Sequence, residues 1–249
     1  MWMNAATNIG RHRGDNQDAY RTGTLPCGCY LLVCDGMGGE RGGGIASALA
    51  ADTVAARIVR DIVPAMTETS VRNVLESAGA AANAAVYSRA QSDAALTGMG
   101  TTLSAVVVTD STAHILHVGD SRVYLLREGK LHRLTTDHTV VQMLLERGDL
   151  TEKDAEHHPQ RHYITRAVGV ERDLKPDVFT IDLQAGDVLL VCSDGLYNEL
   201  SPDTLASLLD TCVAEKSAQA LIDGANRGGG HDNITAAICC PIEEGNALG

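Results

Sequence analysis

Four aspartates stand where an apolar run begins or ends, and a fifth lies near the N-terminus. Tyr30-Leu31-Leu32-Val33-Cys34 runs into Asp35-Gly36, and Val188-Leu189-Leu190-Val191-Cys192 runs through Ser193 into Asp194-Gly195. His114-Ile115-Leu116-His117-Val118 ends in Gly119-Asp120, and Asp232-Asn233 stands just before Ile234-Thr235-Ala236-Ala237-Ile238. Asp18 follows Asn16-Gln17. A carboxylate at the end of a buried strand is costly unless a cation, a donor or water meets it. One Asp-Gly alone is a hairpin signal. After Asp35-Gly36, however, the chain runs through Gly38-Gly39 and Gly42-Gly43-Gly44 into a helical pattern, where a hairpin needs a second strand.

Several such aspartates suggest carboxylates converging on hard divalent cations, Mg²⁺ or Mn²⁺, which prefer carboxylate, carbonyl and water oxygens. In that site Asp35, Asp194 and Asp232 supply charge, and Gly36 offers a carbonyl that an ion can approach closely. Two ions sharing a carboxylate sit about 3.5–4 Å apart in two-metal sites, and water between them attacks a phosphorus or acyl centre in line. Arg13, one short loop before Asp18, carries the fork of donors that holds phosphate oxygens. Taken in isolation, an arginine there is a surface residue.

Strands and helices must position these groups. Residues 4–10 alternate weakly and predict an edge strand, and residues 30–34 predict a buried one. Ile45, Leu49, Ala56, Val59, Ile62 and Val63 fall near one helical face, and Pro64 ends that helix. Val71, Val74, Leu75, Ala78, Ala82, Ala85 and Val86 repeat the spacing, which predicts a helical hairpin over one side of a sheet. Residues 103–109, 113–118, 122–127 and 130–134 read as an antiparallel meander, because their connections are too short for parallel crossovers. Residues 140–145 predict a helix ending at Gly148. Residues 178–183 and 188–192 predict a hairpin around Gln184-Ala185-Gly186-Asp187. Ser201-Pro202 caps a further helix. The next carries Ala218, Leu221, Ile222 and Ala225 and is released by Gly228-Gly229-Gly230, and residues 234–240 form the last strand. The polar stretch 149–163 reads as a surface flap. Its His157, His158 and His162 lack coordinating spacing and read as solvated loop. Antiparallel strands with helix pairs in two places predict an α+β fold, with sheets covered by helices on their outer faces.

The bulk properties narrow the classes. The 249 residues suit one large domain, with no linker-like stretch to divide them. Aromatics are only 3%, so Ala, Val, Leu and Ile must build the core. A formal net charge of −12 argues against a nucleic-acid binder and suits a holder of divalent cations. No apolar run approaches membrane-spanning length, and the N-terminus lacks a basic region followed by an apolar one. The seven cysteines have neither disulfide-framework nor zinc spacing, so a reduced, cytoplasmic protein is expected.

In order along the chain, seven motifs carry a resemblance. They are Arg13-x-x-Asn16-Gln17-Asp18, Asp35-Gly36-Met37-Gly38-Gly39, Gly98-Met99-Gly100-Thr101-Thr102, Gly119-Asp120-Ser121-Arg122, Thr165-Arg166-Ala167-Val168-Gly169, Ser193-Asp194-Gly195-Leu196 and Asp232-Asn233-Ile234-Thr235. Each is weak alone. Together, spanning about residues 7–238, they resemble the metal-dependent serine/threonine protein phosphatases of type 2C in their bacterial single-domain form. The resemblance implies a central β-sandwich of two antiparallel sheets flanked by helix pairs, with residues 1–249 as one catalytic domain and 137–163 as its flap. It implies two Mn²⁺ or Mg²⁺ ions bridged by Asp35, with the Gly36 carbonyl, Asp194 and Asp232 completing their protein ligands. Asp18 would orient a metal-bound water, Asp120 would help hold a third ion, and Arg13 would bind the substrate phosphate. The implied activity is hydrolysis of phosphoserine and phosphothreonine in proteins by a metal-bridging water. The implied partner is a bacterial serine/threonine kinase, and a monomer is expected.

The chain departs from the family at three places. Met37 stands where many members have histidine, Glu40 where bacterial relatives often have one, and Gln17 where many have glutamate. An inactive scaffold of the same fold is disfavoured because every matched aspartate is present. A metal-dependent phosphodiesterase is disfavoured by the lack of histidine ligands and of a basic groove.

Overall fold

The apolar strands form because both of their faces are covered, and this dictates the layers. The computed structural model describes residues 1–155 and 158–241, the side chains of Glu40 and Arg41 excepted. Strands β1 (Trp2–Asn8), β2 (Asp18–Leu25) and β3 (Gly28–Met37) precede helices α1 (Gly39–Asp61) and α2 (Glu68–Ser92). Strands β4 (Gly100–Thr101), β5 (Leu103–Thr109), β6 (Thr112–Val118), β7 (Arg122–Arg127) and β8 (Lys130–Arg133) follow. Next come α3 (Val140–Glu146), α4 (Glu152–Ala155), β9 (Asp177–Asp182) and β10 (Val188–Cys192). The chain closes with α5 (Asp194–Tyr197), α6 (Pro202–Glu215), α7 (Gln219–Gly228) and β11 (Ile234–Cys240).

Two antiparallel sheets result. One has the order β1-β11-β10-β7-β8; the other has β2-β3-β5-β6-β9, with β4 paired to the end of β3. Side chains alternate across each strand. In β3, Cys29, Leu31 and Val33 meet Leu189, Val191, Ala237 and Cys239 of the opposite sheet. Leu32 and Cys34 turn the other way, onto α1 and α2. In β10, Val188 and Leu190 likewise face Leu205 and Leu209 of α6 and Leu221 of α7. This is the expected α+β sandwich flanked by helix pairs. Cys34 and Cys192 are fully buried within it, as small apolar groups.

The structure corrects three sequence-based readings. The meander breaks at Gly119-Asp120-Ser121: β6 pairs with β5 and β9 in one sheet, whereas β7 pairs with β10 and β8 in the other. Likewise β9 and β10 form no hairpin; the chain passes between sheets at residues 183–187. Turn residues look alike in a hairpin and in a corner between sheets. At the second corner the deciding contact is distant in sequence. The Arg127 guanidinium donates to both oxygens of Asp187, at 2.8 and 2.6 Å, and Asp187 Oδ2 accepts from the Gln184 backbone. Third, α1 buries Ala46, Ala50, Ala51, Val54, Ala55 and Ile58, while Ile45, Val59 and Val63 are exposed. Small residues let the helix lie close to the sheet, so the larger aliphatics did not mark the buried face. In addition, β2 has no counterpart among the predicted strands. Among the described residues no helix is long and apolar enough to cross a membrane.

Asp187 has only 1% of its side chain exposed, against 26% for Arg127. Asp187→Ala is expected to destabilise the fold by roughly 1.5–3 kcal/mol, the range for hydrogen bonds to charged groups. Urea denaturation measures it, and an unchanged midpoint would show that the corner does not depend on this pair.

Candidate active site

The sandwich brings ends of strands from both sheets to one rim. On one sheet Asp18 and Asp35 are cross-strand partners at the paired ends of β2 and β3. On the other, Asp194 follows β10 by one residue and Asp232 precedes β11, and β10 and β11 are neighbours. Asp120 lies in the corner where the chain changes sheets. Asp35, Asp120, Asp194, Asp232 and Arg13 line one cleft of about 1740 Å³, with Gly36 on the same wall. Asp18 stands behind that lining.

Neighbouring polar groups fix four of these acids. Ser193 Oγ donates to Asp18 Oδ2 at 2.7 Å and accepts from the Thr235 backbone at 3.0 Å. Asn198 Nδ2 donates to Asp194 Oδ2 at 3.2 Å. The Asn233 backbone donates to Asp232 Oδ1, and its side chain gathers the N-terminal loop by bonds to Gln17 N, Ile9 O and Asp15 O. Thr102 Oγ1 accepts from Asp35 N, while Thr101 Oγ1 and Thr102 N both donate to the Asp35 carbonyl. The sequence reading did not single out Ser193, Asn198, Asn233, Thr101 or Thr102. Four of them sit inside quoted motifs, beside the aspartates or next to Gly100, and that adjacency was the available signal.

Electrostatically the rim is short of positive charge. Burial, then the charges of Asp18, Asp194, Asp120 and Asp232, push the Asp35 carboxyl well above its ordinary range. Burial and then Asp120 raise Asp194 to about 8. Burial raises Asp18 to about 6, and burial with Asp137 raises Asp120 to about 6. Asp18 Oδ1 is shut from solvent and has no hydrogen-bond partner among the described residues. An orphaned buried carboxylate oxygen beside mutually repelling acids fits a bound cation. Among the described residues no three His, Cys, Asp or Glu side chains are gathered tightly enough to hold an ion alone.

The remaining candidates fall around this rim. Arg13 Nη2 reaches Asp232 Oδ2 at 2.5 Å, with 54% of its side chain exposed. So exposed a pair is worth little, and its guanidinium can exchange partners. Backbone approach explains two glycines: a Cβ on Gly36 would stand 2.1 Å from the Gly43 carbonyl, and one on Gly43 would stand 2.7 Å from the Gly36 carbonyl. Met37 lines the cleft and packs against Gly100, with no proton to donate. The Glu40 side chain and His157 lie outside the described residues. His162 lines the cleft, and His158 Nδ1 accepts from Gln160 N. The flap's two ends pair through Val140 N to Tyr163 O and Thr165 N to His138 O.

Comparison with known proteins gives one consistent answer. The protein phosphatase 2C family model matches residues 11–223. The chain is 37% identical to the protein phosphatase PhpP of Streptococcus pneumoniae over 98% of this chain and 99% of that one. The structure superposes on the S. agalactiae serine/threonine phosphatase with a TM-score of 0.87 at 36% identity, covering 95% and 97% of the two chains. It also matches the catalytic domain of the serine/threonine protein phosphatase PstP in complex with two manganese ions. There the TM-score is 0.82 at 33% identity, over 97% of this chain and 98% of that one.

The raised carboxyls give a signed expectation for the chain stripped by a chelator. Unfolded aspartates lose their protons near pH 4, whereas the folded ones hold theirs up to about 6 and 8. The native state therefore binds more protons than the unfolded state, and stability falls as pH rises from 6.5 to 8.5. Thermal melts in chelator should drop by several degrees across that window, and Asp194→Asn should raise the melting temperature at pH 8.5. A flat or rising profile would refute the crowding of charge.

Proposed function

The chain belongs to the protein phosphatase 2C family and is a protein serine/threonine phosphatase acting on phosphoproteins, and from that premise we propose how its site works. Asp18, Asp35, Asp120, Asp194, Asp232 and the Gly36 carbonyl are the groups that would hold Mn²⁺ or Mg²⁺, Asp35 serving the central pair and Asp120 a third ion. The carrying observation is the orphaned Asp18 Oδ1 among carboxylates gathered from both sheets. The manganese-bound PstP relative supports the choice of ion. Bound there, the ions supply an acidified water as nucleophile and neutralise charge on the transferred phosphoryl group.

The protein's own residues do the rest. Asp35, desolvated and fixed through its backbone by Thr101 and Thr102, is the central carboxylate between the two sheets. Ser193 holds Asp18 behind it, leaving one oxygen free to orient water. Arg13 leaves its exposed pair with Asp232 to grip the phosphate of the substrate, for which its fork is better matched. Met37 cannot protonate the departing serine or threonine alkoxide, and we assign that proton to water in preference to Glu40, because a glutamate at its ordinary pKa is already ionised near neutrality. Residues 1–249 act as one catalytic unit, a monomer in the cytoplasm, reversing a bacterial serine/threonine kinase. The shared apolar core between the two sheets supports a single unit, and the bacterial relatives support a bacterial phosphatase.

Activity on a phosphothreonine peptide is expected to vanish with EDTA and return with excess Mn²⁺ or Mg²⁺. Asp194→Asn and Asp232→Asn should each lower turnover by about 100-fold or more with the fold intact. Full activity in chelator, with metal content shown to be negligible, would sink the mechanism. Arg13→Ala should chiefly raise KM, because it removes an interaction made before the transition state. Steady-state kinetics with unchanged KM and turnover would return Arg13 to the surface.

A further inference from the structure

Arg122 lines the cleft with most of its side chain covered, 21% being exposed. Its Nε and Nη2 donate to Asp137 Oδ1 and Oδ2 at 3.0 and 2.7 Å, and Nη1 donates to the Tyr124 hydroxyl at 3.1 Å. The guanidinium carbon lies 3.6 Å from the centre of the Tyr197 ring. That ring's hydroxyl donates to the Asp120 carbonyl at 3.0 Å. Tyr197 closes α5, the short helix that Asp194 opens. One side chain thus touches the root of the flap at Asp137 and, through Tyr197, the backbones that carry Asp120 and Asp194.

We propose that Arg122 is a positioning residue for Asp120, holding it at the rim by fixing Tyr197 from above while Asp137 fixes Arg122 from the flap root. The inference rests on the proposed role of Asp120 as a holder of the third ion. An ordinary ion pair would need only Asp137. The stack on Tyr197, and the bond from Tyr197 to Asp120, are what extend this one to the site. Arginine suits the task because its planar fork can bond a carboxylate edge-on and stack on a ring at once, which an ammonium cannot. Burial alone would weaken the charge, but the bonds to Asp137 outweigh it and hold the guanidinium above its ordinary pKa.

Two variants separate this role from stapling the flap. Tyr197→Phe keeps the ring under Arg122 but removes the donor to Asp120. Arg122→Lys keeps the charge but removes the fork and the flat stack. Mn²⁺ binding to the full chain is counted by the electron paramagnetic resonance of free Mn²⁺, alongside Asp120→Asn and thermal melts. Both variants are expected to weaken the same class of Mn²⁺ that Asp120→Asn weakens, by about tenfold or more, as loss of groups behind a ligand does. Tyr197→Phe is expected to do so with little change in melting temperature, which keeps the test valid if Arg122→Lys folds poorly. Wild-type Mn²⁺ binding in Tyr197→Phe and Arg122→Lys, with loss in Asp120→Asn, would overturn the proposal and leave Arg122 a flap staple. Wild-type binding in Asp120→Asn would instead remove the third ion from Asp120, and this inference with it.

Discussion

Repulsion among carboxylates that cannot reach bulk water is the constraint on which the structure turns. Asp35 feels four other aspartates, and Asp194 and Asp18 each lie against it. No rearrangement of the sandwich relieves this, because each acid is fixed by its strand and by bonded neighbours such as Ser193 and Asn233. The protein thereby gives up stability at its rim to gather acids at one place. Sites of function are where such local unfavourable energy is kept.

The sandwich makes that concentration possible. Its inner layer of aliphatics and the buried thiols Cys29 and Cys239 locks the two sheets face to face. Strand ends from separate sheets then share a rim. Two of the places where the chain changes sheets, after β6 and after β9, are stiffened by charge. Arg127 binds Asp187 at one corner, and Arg122 at the other binds Asp137 just beyond β8. The root of the flap is tied to this frame at His138, whose Nδ1 accepts from Gly119 N and whose Nε2 faces Asp177.

At the rim, chemistry is divided between fixed and exchangeable groups. Asp35 and its threonine supports do not move without the sheet. Arg13 is half exposed, and the far part of the flap carries exposed side chains such as Arg161, His162 and Tyr163. Met37, packed against Gly100, gives the cleft an apolar wall where other family members place a proton donor. The loss of that donor matters most for poor leaving groups such as serine and threonine alkoxides.

The sequence by itself determined which aspartates meet at the rim and most of the elements that carry them. Strand ends at Asp35, Asp194 and Asp232 were legible because an apolar run halted by a carboxylate is a local signal. So were the Ser201-Pro202 cap of α6, whose Ser201 hydroxyl accepts from Thr204 N, and the last strand, β11. Only the tertiary structure decided which sheet each strand joins. A period of two shows that a strand has two faces without naming what covers them. Gly119-Asp120-Ser121 and residues 184–187 are as suited to hairpins as to corners. The buried face of α1 was hidden because alanines carry it, chosen for close approach and not for size. The pairings of Ser193 with Asp18 and of Arg13 with Asp232 join residues far apart along the chain. Their energies depend on distances that only folding sets, so no local pattern could record them.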